Sequence, residues 1–109
     1  MSKLHLKNNP TLANIQQYVM DMEQERGFTH SGILEQFLLL VEEIGELGKV
    51  IRKHNTSLGI DTNKKYDFDA AGEVADTIVM LCAVANRLGV DMEQAFRDKE
   101  EKNKKRTWK

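Results

Sequence analysis

Two pairs of carboxylates share one spacing. Glu43 and Glu46 lie three residues apart in Val41-Glu42-Glu43-Ile44-Gly45-Glu46-Leu47, and Glu73 and Asp76 do so in Glu73-Val74-Ala75-Asp76. Both runs are apolar and helix-forming. On a helix, residues three apart are neighbours on one face, with Cβ atoms about 5–6 Å apart. Each pair would present two carboxylates side by side. At about 100° per residue, Gln36, Leu39, Leu40, Leu47 and Val50 share the face of Glu43, with Glu46 at its edge. Thr77, Met80 and Val84 share the face of Glu73, with Asp76 on its flank. The acids therefore lie in or beside stripes that should face a core. Burying a carboxylate is costly unless it is paired or coordinates a metal. No basic residue recurs at matching spacing, so four acids from two helices point to a hard divalent cation. Oxygen-only ligands favour Mg²⁺ or Mn²⁺ over zinc. One pair alone would read better as an ordinary exposed helix face. Two pairs, each on an apolar face, favour the metal.

Other site chemistries find less support. His5 and His30 sit in a lead-in and a turn, and His54 ends a helix, each without a nucleophile beside it. A di-iron bundle needs Glu-x-x-His pairs, which neither acidic pair supplies. There is no GxxxxGK[ST] phosphate loop and no GxGxxG. Cys82 is the only cysteine and lies in an apolar run, which excludes an internal disulfide and suggests a buried thiol in a reducing, cytoplasmic compartment. The chain carries a formal net charge of −1 over 109 residues, which gives no global case for nucleic acid or a membrane surface. The charge is uneven, however. From residue 97 onward, Arg97, Lys99, Lys102, Lys104, Lys105, Arg106 and Lys109 outnumber Asp98, Glu100 and Glu101, a local balance of +4 (7 − 3). A carboxylate-held cation near a basic helix suits phosphate chemistry. Metals clamp phosphate oxygens and activate water, and cations neutralise developing charge.

The elements that must position these residues are all helical. A chain of 109 residues is expected to be one domain, 1–109. Residues 1–9 read as a loosely held lead-in and 107–109 as a fraying end. Thr11, after Pro10, can cap a first helix carrying Leu12, Ile15, Val19 and Met22, with Gly27 as its stop. The spacing predicts a second helix over 33–54, with Ser31 as a candidate cap and Phe37, Leu40, Ile44, Leu47 and Ile51 as a wide apolar band. Gly45 and Gly48 lie off the Glu43 face and read either as a place of close helix approach or as an incidental tolerance. Residues 55–68 form the long connection, read either as a mobile flap or as a solvated linker. Asp69 can cap a third helix running to Leu88, with Gly89 as its stop. Asp91 and Gln94 have capping-box spacing at the start of a fourth. On that helix, Lys99, Asn103 and Arg106 recur at i, i+4 and i+7. They make either a phosphate-facing row or a solvated basic face. No hairpin signature, solenoid repeat, bilayer-spanning apolar run or secretory h-region occurs. The class is all-α, four helices, with helices 2 and 3 antiparallel, and uncovered apolar stripes call for self-association.

These residues carry a family resemblance. Glu42-Glu43-x-x-Glu46, followed after a loop by Glu73-x-x-Asp76, resembles the pattern of the MazG-like all-α nucleoside triphosphate pyrophosphohydrolases. Leu88-Gly89-Val90-Asp91-Met92-Glu93-Gln94-Ala95-Phe96 is similar to the segment joining their last two helices. Lys99-x-x-x-Asn103-x-x-Arg106 resembles their closing motif. The likeness runs from about residue 12 to residue 106. It implies a four-helix bundle completed by oligomerisation, as a homodimer or a dimer of dimers. It implies a Mg²⁺-dependent enzyme, with Mn²⁺ as a substitute, that cleaves (d)NTPs between the α- and β-phosphates to (d)NMP and pyrophosphate. The implied role is house-cleaning of the nucleotide pool. By matching position, Glu43, Glu46, Glu73 and Asp76 would ligate the metal, and Lys99, Asn103 and Arg106 would face the phosphates. Glu42 stays open between a second-metal ligand, a base for water and a surface charge. Gln16, Gln36, Leu39 and Lys53 are candidates for contact with the base. The competing readings are a phosphoribosyl-ATP pyrophosphohydrolase, a non-catalytic helical nucleotide- or partner-binding module, and a small nucleic-acid binder using the basic tail.

Overall fold

In the computed structural model, which describes residues 1–58 and 69–108, four helices form and no strand. They are α1 (Leu12–Arg26), α2 (Ile33–Asn55), α3 (Ala70–Leu88) and α4 (Met92–Lys104). The all-α expectation holds. Of the connection expected over 55–68, Asn55 is the last residue of α2, and residues 59–68 lie outside the described residues.

Local chemistry sets the helix ends. Thr11 accepts from the Asn14 backbone N–H, and the Asn14 side chain accepts from the Thr11 N–H, which closes a capping box on α1. Asp69 accepts from the Gly72 N–H at α3, and Asp91 accepts from the Gln94 N–H at α4. Gly27 and Gly89 end α1 and α3 at φ 75° and φ 68°, left-handed values at which a Cβ would be strained. Ser31 does not cap α2. Gly32 holds that position without a side-chain bond, and the Ser31 carbonyl is drawn instead to Arg87.

α2 and α3 are antiparallel. Gln36 meets Met80 and Glu43 meets Glu73, so residue numbers along one helix rise as those along the other fall. The closed core lies between α1 and α3. Val19, Met22, Cys82 and Ala83 are buried there, and Leu4, Ile15, Tyr18, Val79 and Met92 pack on them. Leu4 thus ties the lead-in to the core. Cys82 is fully buried, and burial pushes its thiol above the ordinary range, as suits a structural cysteine.

The apolar band expected on α2 is only half used. Leu40 is buried and Leu47 half-buried, but Phe37, Ile44 and Ile51 are about half exposed, at 49%, 51% and 50%. The cause is geometric. α2 packs chiefly on α3, and one neighbour covers only one side of a wide stripe. Val74, Ile78 and Leu81 on α3 and Phe96 on α4 are exposed as well.

Candidate metal centre

The antiparallel pairing of α2 and α3 brings two acidic runs to one place. Glu43 comes from the middle of α2, and Glu73 and Asp76 from the first two turns of α3. One carboxylate oxygen from each lies within 4.8 Å of the others. Glu43 and Glu73 are half-buried and Asp76 is exposed. Partial burial pushes the Glu73 carboxyl above the ordinary glutamate range. The Glu43 charge and a hydrogen bond with Glu43 raise it further, as do the charges of Asp76 and Glu46. No ion pair involves these carboxylates among the described residues. Three oxygen donors that repel one another, with no cation ion-paired to them among the described residues, suit a hard divalent ion.

Glu46 lies one turn beyond Glu43, exposed, close enough to raise Glu73 but outside the group of three. Glu42 is also exposed and outside it.

Beside Asp76 a cavity of about 600 Å³ opens between α1, the α1–α2 turn, the first half of α2 and α3. Met22, Phe28, His30, Gln36, Leu39 and Met80 are among the residues that line it. Gln36 is 5% exposed. Its Nε2 rests on the Met80 thioether sulfur at 3.1 Å, a weak acceptor, and its Oε1 has no partner among the described residues. A buried amide would thus present both an acceptor and an under-used donor to whatever fills the cavity.

The other base candidates fall elsewhere. Gln16 joins α1 to the α3–α4 turn. Its Nε2 donates to Asn86 Oδ1 at 2.9 Å and to the Val90 carbonyl at 2.6 Å, and its Oε1 accepts from the Met92 N–H at 2.9 Å. Lys53 is half-buried in the last turn of α2 and does not line the cavity.

Lys99 and Asn103 line a second, apolar groove with Ile78, Leu81, Leu88 and Phe96, between α1, α3 and α4. Ile78 stands about 140° from Glu73 and about 160° from Asp76 around α3. Within one chain, the basic row and the acids thus face different directions. Asn103 Oδ1 is buried without a hydrogen-bond partner among the described residues. Arg106 lies past the end of α4, in a tightened turn where its N–H donates to the Asn103 carbonyl at 3.1 Å. The exposed Trp108 donates from Nε1 to that carbonyl at 3.2 Å.

Sequence reasoning placed Gln36 and Leu39 by wheel position but missed Phe28 and His30. The signal was their place just after the Gly27 stop. Side chains of a short helix–helix turn project into the angle between the helices.

The chain matches no protein-family model and no curated protein. Among solved structures it is similar to the crystal structure of iMazG from Vibrio DAT 722. Sequence identity is 30% and the TM-score 0.64, over 86% of this chain and 98% of that one. The chain belongs to the MazG-like family. No helix among the described residues is long and apolar enough to cross a membrane.

Proposed function

We propose that this protein is a divalent-metal-dependent nucleoside triphosphate pyrophosphohydrolase that yields a nucleoside monophosphate and pyrophosphate. The observation that carries this reading is the convergence of Glu43, Glu73 and Asp76 within 4.8 Å, at the edge of a cavity of nucleoside size, in a MazG-like chain. Glu43, Glu73 and Asp76 hold the cation, with Glu46 at its edge. A bound divalent cation offsets charge on the phosphate oxygens and makes water a better nucleophile. Glu46, exposed and close enough to act on Glu73, is the side chain available to accept the proton that the attacking water gives up, with the exposed Glu42 as the alternative. The base enters the adjoining cavity. There Leu39 and Met80 offer apolar contact, and the Gln36 amide meets a donor–acceptor edge.

Lys99 and Arg106 offset phosphate charge in this reading, Asn103 faces the phosphates with its neutral amide, and a second copy of the chain brings the three to the acids. Two observations favour such assembly. Within one chain the basic row faces away from the carboxylates. The chain also leaves Phe37, Ile44 and Ile51 on α2, Ile78 and Leu81 on α3 and Phe96 on α4 exposed, apolar surface of the kind that a partner covers.

The test is release of monophosphate and pyrophosphate from a panel of canonical and modified NTPs and dNTPs, with Mg²⁺ or with EDTA. Pyrophosphate release that EDTA abolishes supports the assignment, and the rank order reports the preferred base. Turnover of phosphoribosyl-ATP alone would move the protein to that related activity. Release of single phosphates in place of pyrophosphate would overturn the reaction class.

A further inference from the structure

The α1–α2 turn is one wall of the cavity, through Phe28, His30 and Ser31. It is fastened from outside by one side chain. Arg87 reaches across from the last turn of α3 and uses all five of its N–H groups. Nε donates to the Ser31 carbonyl at 2.8 Å. Nη2 donates to the Phe28 carbonyl at 3.2 Å and to Glu23 Oε2 at 2.6 Å. Nη1 donates to Glu23 Oε1 at 3.1 Å and to the Ala83 carbonyl at 3.0 Å. The side chains of Arg87 and Glu23 are only 15% and 10% exposed. One planar fork therefore joins α1, the turn and α3, and it grips the turn by the backbone carbonyls on either side of His30. Helix packing alone would not fix a turn in which Phe28, Thr29 and His30 are exposed and only Ser31 is half-buried. A lysine has three donors on one atom and cannot reproduce the fork.

We propose that Arg87 is a positioning residue for substrate. It holds the Phe28–Ser31 turn as a fixed wall of the cavity and so sets nucleotide affinity without touching the nucleotide. The proposal rests on the reading of that cavity as the nucleotide's site. It separates two roles that one arginine could have. A purely structural pair changes how much protein is folded, which lowers kcat at constant KM. A wall-positioning pair changes the pre-organisation of the cavity, which raises KM at nearly constant kcat.

The experiment is steady-state pyrophosphate release from the best substrate of the panel by the wild type, R87K and E23Q, with thermal unfolding measured alongside. In R87K we expect KM to rise by about tenfold, kcat to stay within about threefold, and the Mg²⁺ dependence to be unchanged. E23Q keeps the shape of the glutamate but removes the charge that seats the fork. We expect a smaller rise in KM with kcat again retained. A wild-type KM in whichever of the two variants folds, or a fall in kcat alone, overturns the positioning role. A wild-type protein that releases no pyrophosphate from any nucleotide overturns the functional reading, and the proposal with it, before either variant is compared.

Discussion

Two groups of charged side chains share one face of α3 and are used in opposite ways. Asp76 and Arg87 lie about 20° apart around that helix. At the Arg87 end, opposite charges meet. Glu23 and Arg87 are nearly buried, and every guanidinium N–H has an acceptor. At the Asp76 end, like charges meet. Glu43, Glu73 and Asp76 converge with no ion-paired cation among the described residues. The first group is satisfied within the chain, since it joins three segments and leaves no donor over for direct contact with a ligand. The second costs the folded chain repulsion that, near neutral pH, an added cation relieves. Net charge says nothing of this difference. Whether a buried charge already has its partner within the chain separates a structural site from a binding one.

The sharpest way to break the comparison is to damage the satisfied end. Glu23→Ala leaves the Arg87 guanidinium buried without its counter-charge. Breaking such a pair costs about 3–5 kcal/mol, a large part of the 5–15 kcal/mol that holds a typical domain together. We expect a matching loss of unfolding free energy in urea titrations, with or without Mg²⁺. A loss under about 1 kcal/mol would show that the pair is not the joint described here.

The acidic end should respond in the other currency. Glu73→Gln and Asp76→Asn keep volume and remove a ligand charge. We expect either to cut pyrophosphate release by about 100-fold or more while the protein stays folded by circular dichroism. Full metal-dependent activity in either variant would remove that residue from the site. Gln36→Leu should have a smaller effect. It removes the amide from the cavity wall, and the loss of one or two hydrogen bonds raises KM by about 3- to 10-fold with kcat little changed. The base preference should weaken with it. A Gln36→Leu enzyme with wild-type KM and the same rank order of substrates would place base recognition elsewhere.

How much of this was legible in the sequence follows from what periodicity can and cannot report. Thr11, Asp69 and Asp91 announced three helix starts, and Gly27 and Gly89 two stops, because capping is decided within four residues. The pairing of Glu43 with Glu73 and Asp76 followed from two acidic spacings on two helices joined as a hairpin. The Glu23–Arg87 pair did not follow. Its members are 64 positions apart, and periodicity gives the face of a residue, never the residue opposite. A sign was present even so. Arg87 lies on the same inward stripe as Asp76, Met80 and Ala83, and an arginine there requires a carboxylate from another element. The basic row shows the same limit from the other side. Lys99 and Asn103 were correctly placed on one face of a helix, but spacing could not show that this face looks away from the acids. The width of the apolar band on α2 was legible, and what covers its outer half was not, because periodicity gives the face of a residue and never what packs against it.

The smallest effect is also the most direct test of the claim that the acids repel one another. Glu73 has its folded-state pKa raised by burial and then by Glu43, Asp76 and Glu46. A carboxyl raised in this way binds more protons in the folded state than in the unfolded one. Its charged form therefore costs stability. The cost is absent below the ordinary glutamate range, grows as pH rises from there through the raised folded value, and is complete above it. Glu73→Gln removes that cost. In EDTA near pH 7 the variant should melt above the wild type, and the gap should close as pH falls below the ordinary carboxylate range. Mg²⁺ should reverse the order at neutral pH, because the wild type gains a bound ion in the folded state that the variant holds less well. A Glu73→Gln protein that melts below the wild type in EDTA at pH 7 would mean that Glu73 stabilises the fold. The cluster would then be a structural network like that around Arg87, and the contrast between the two ends of α3 would fail.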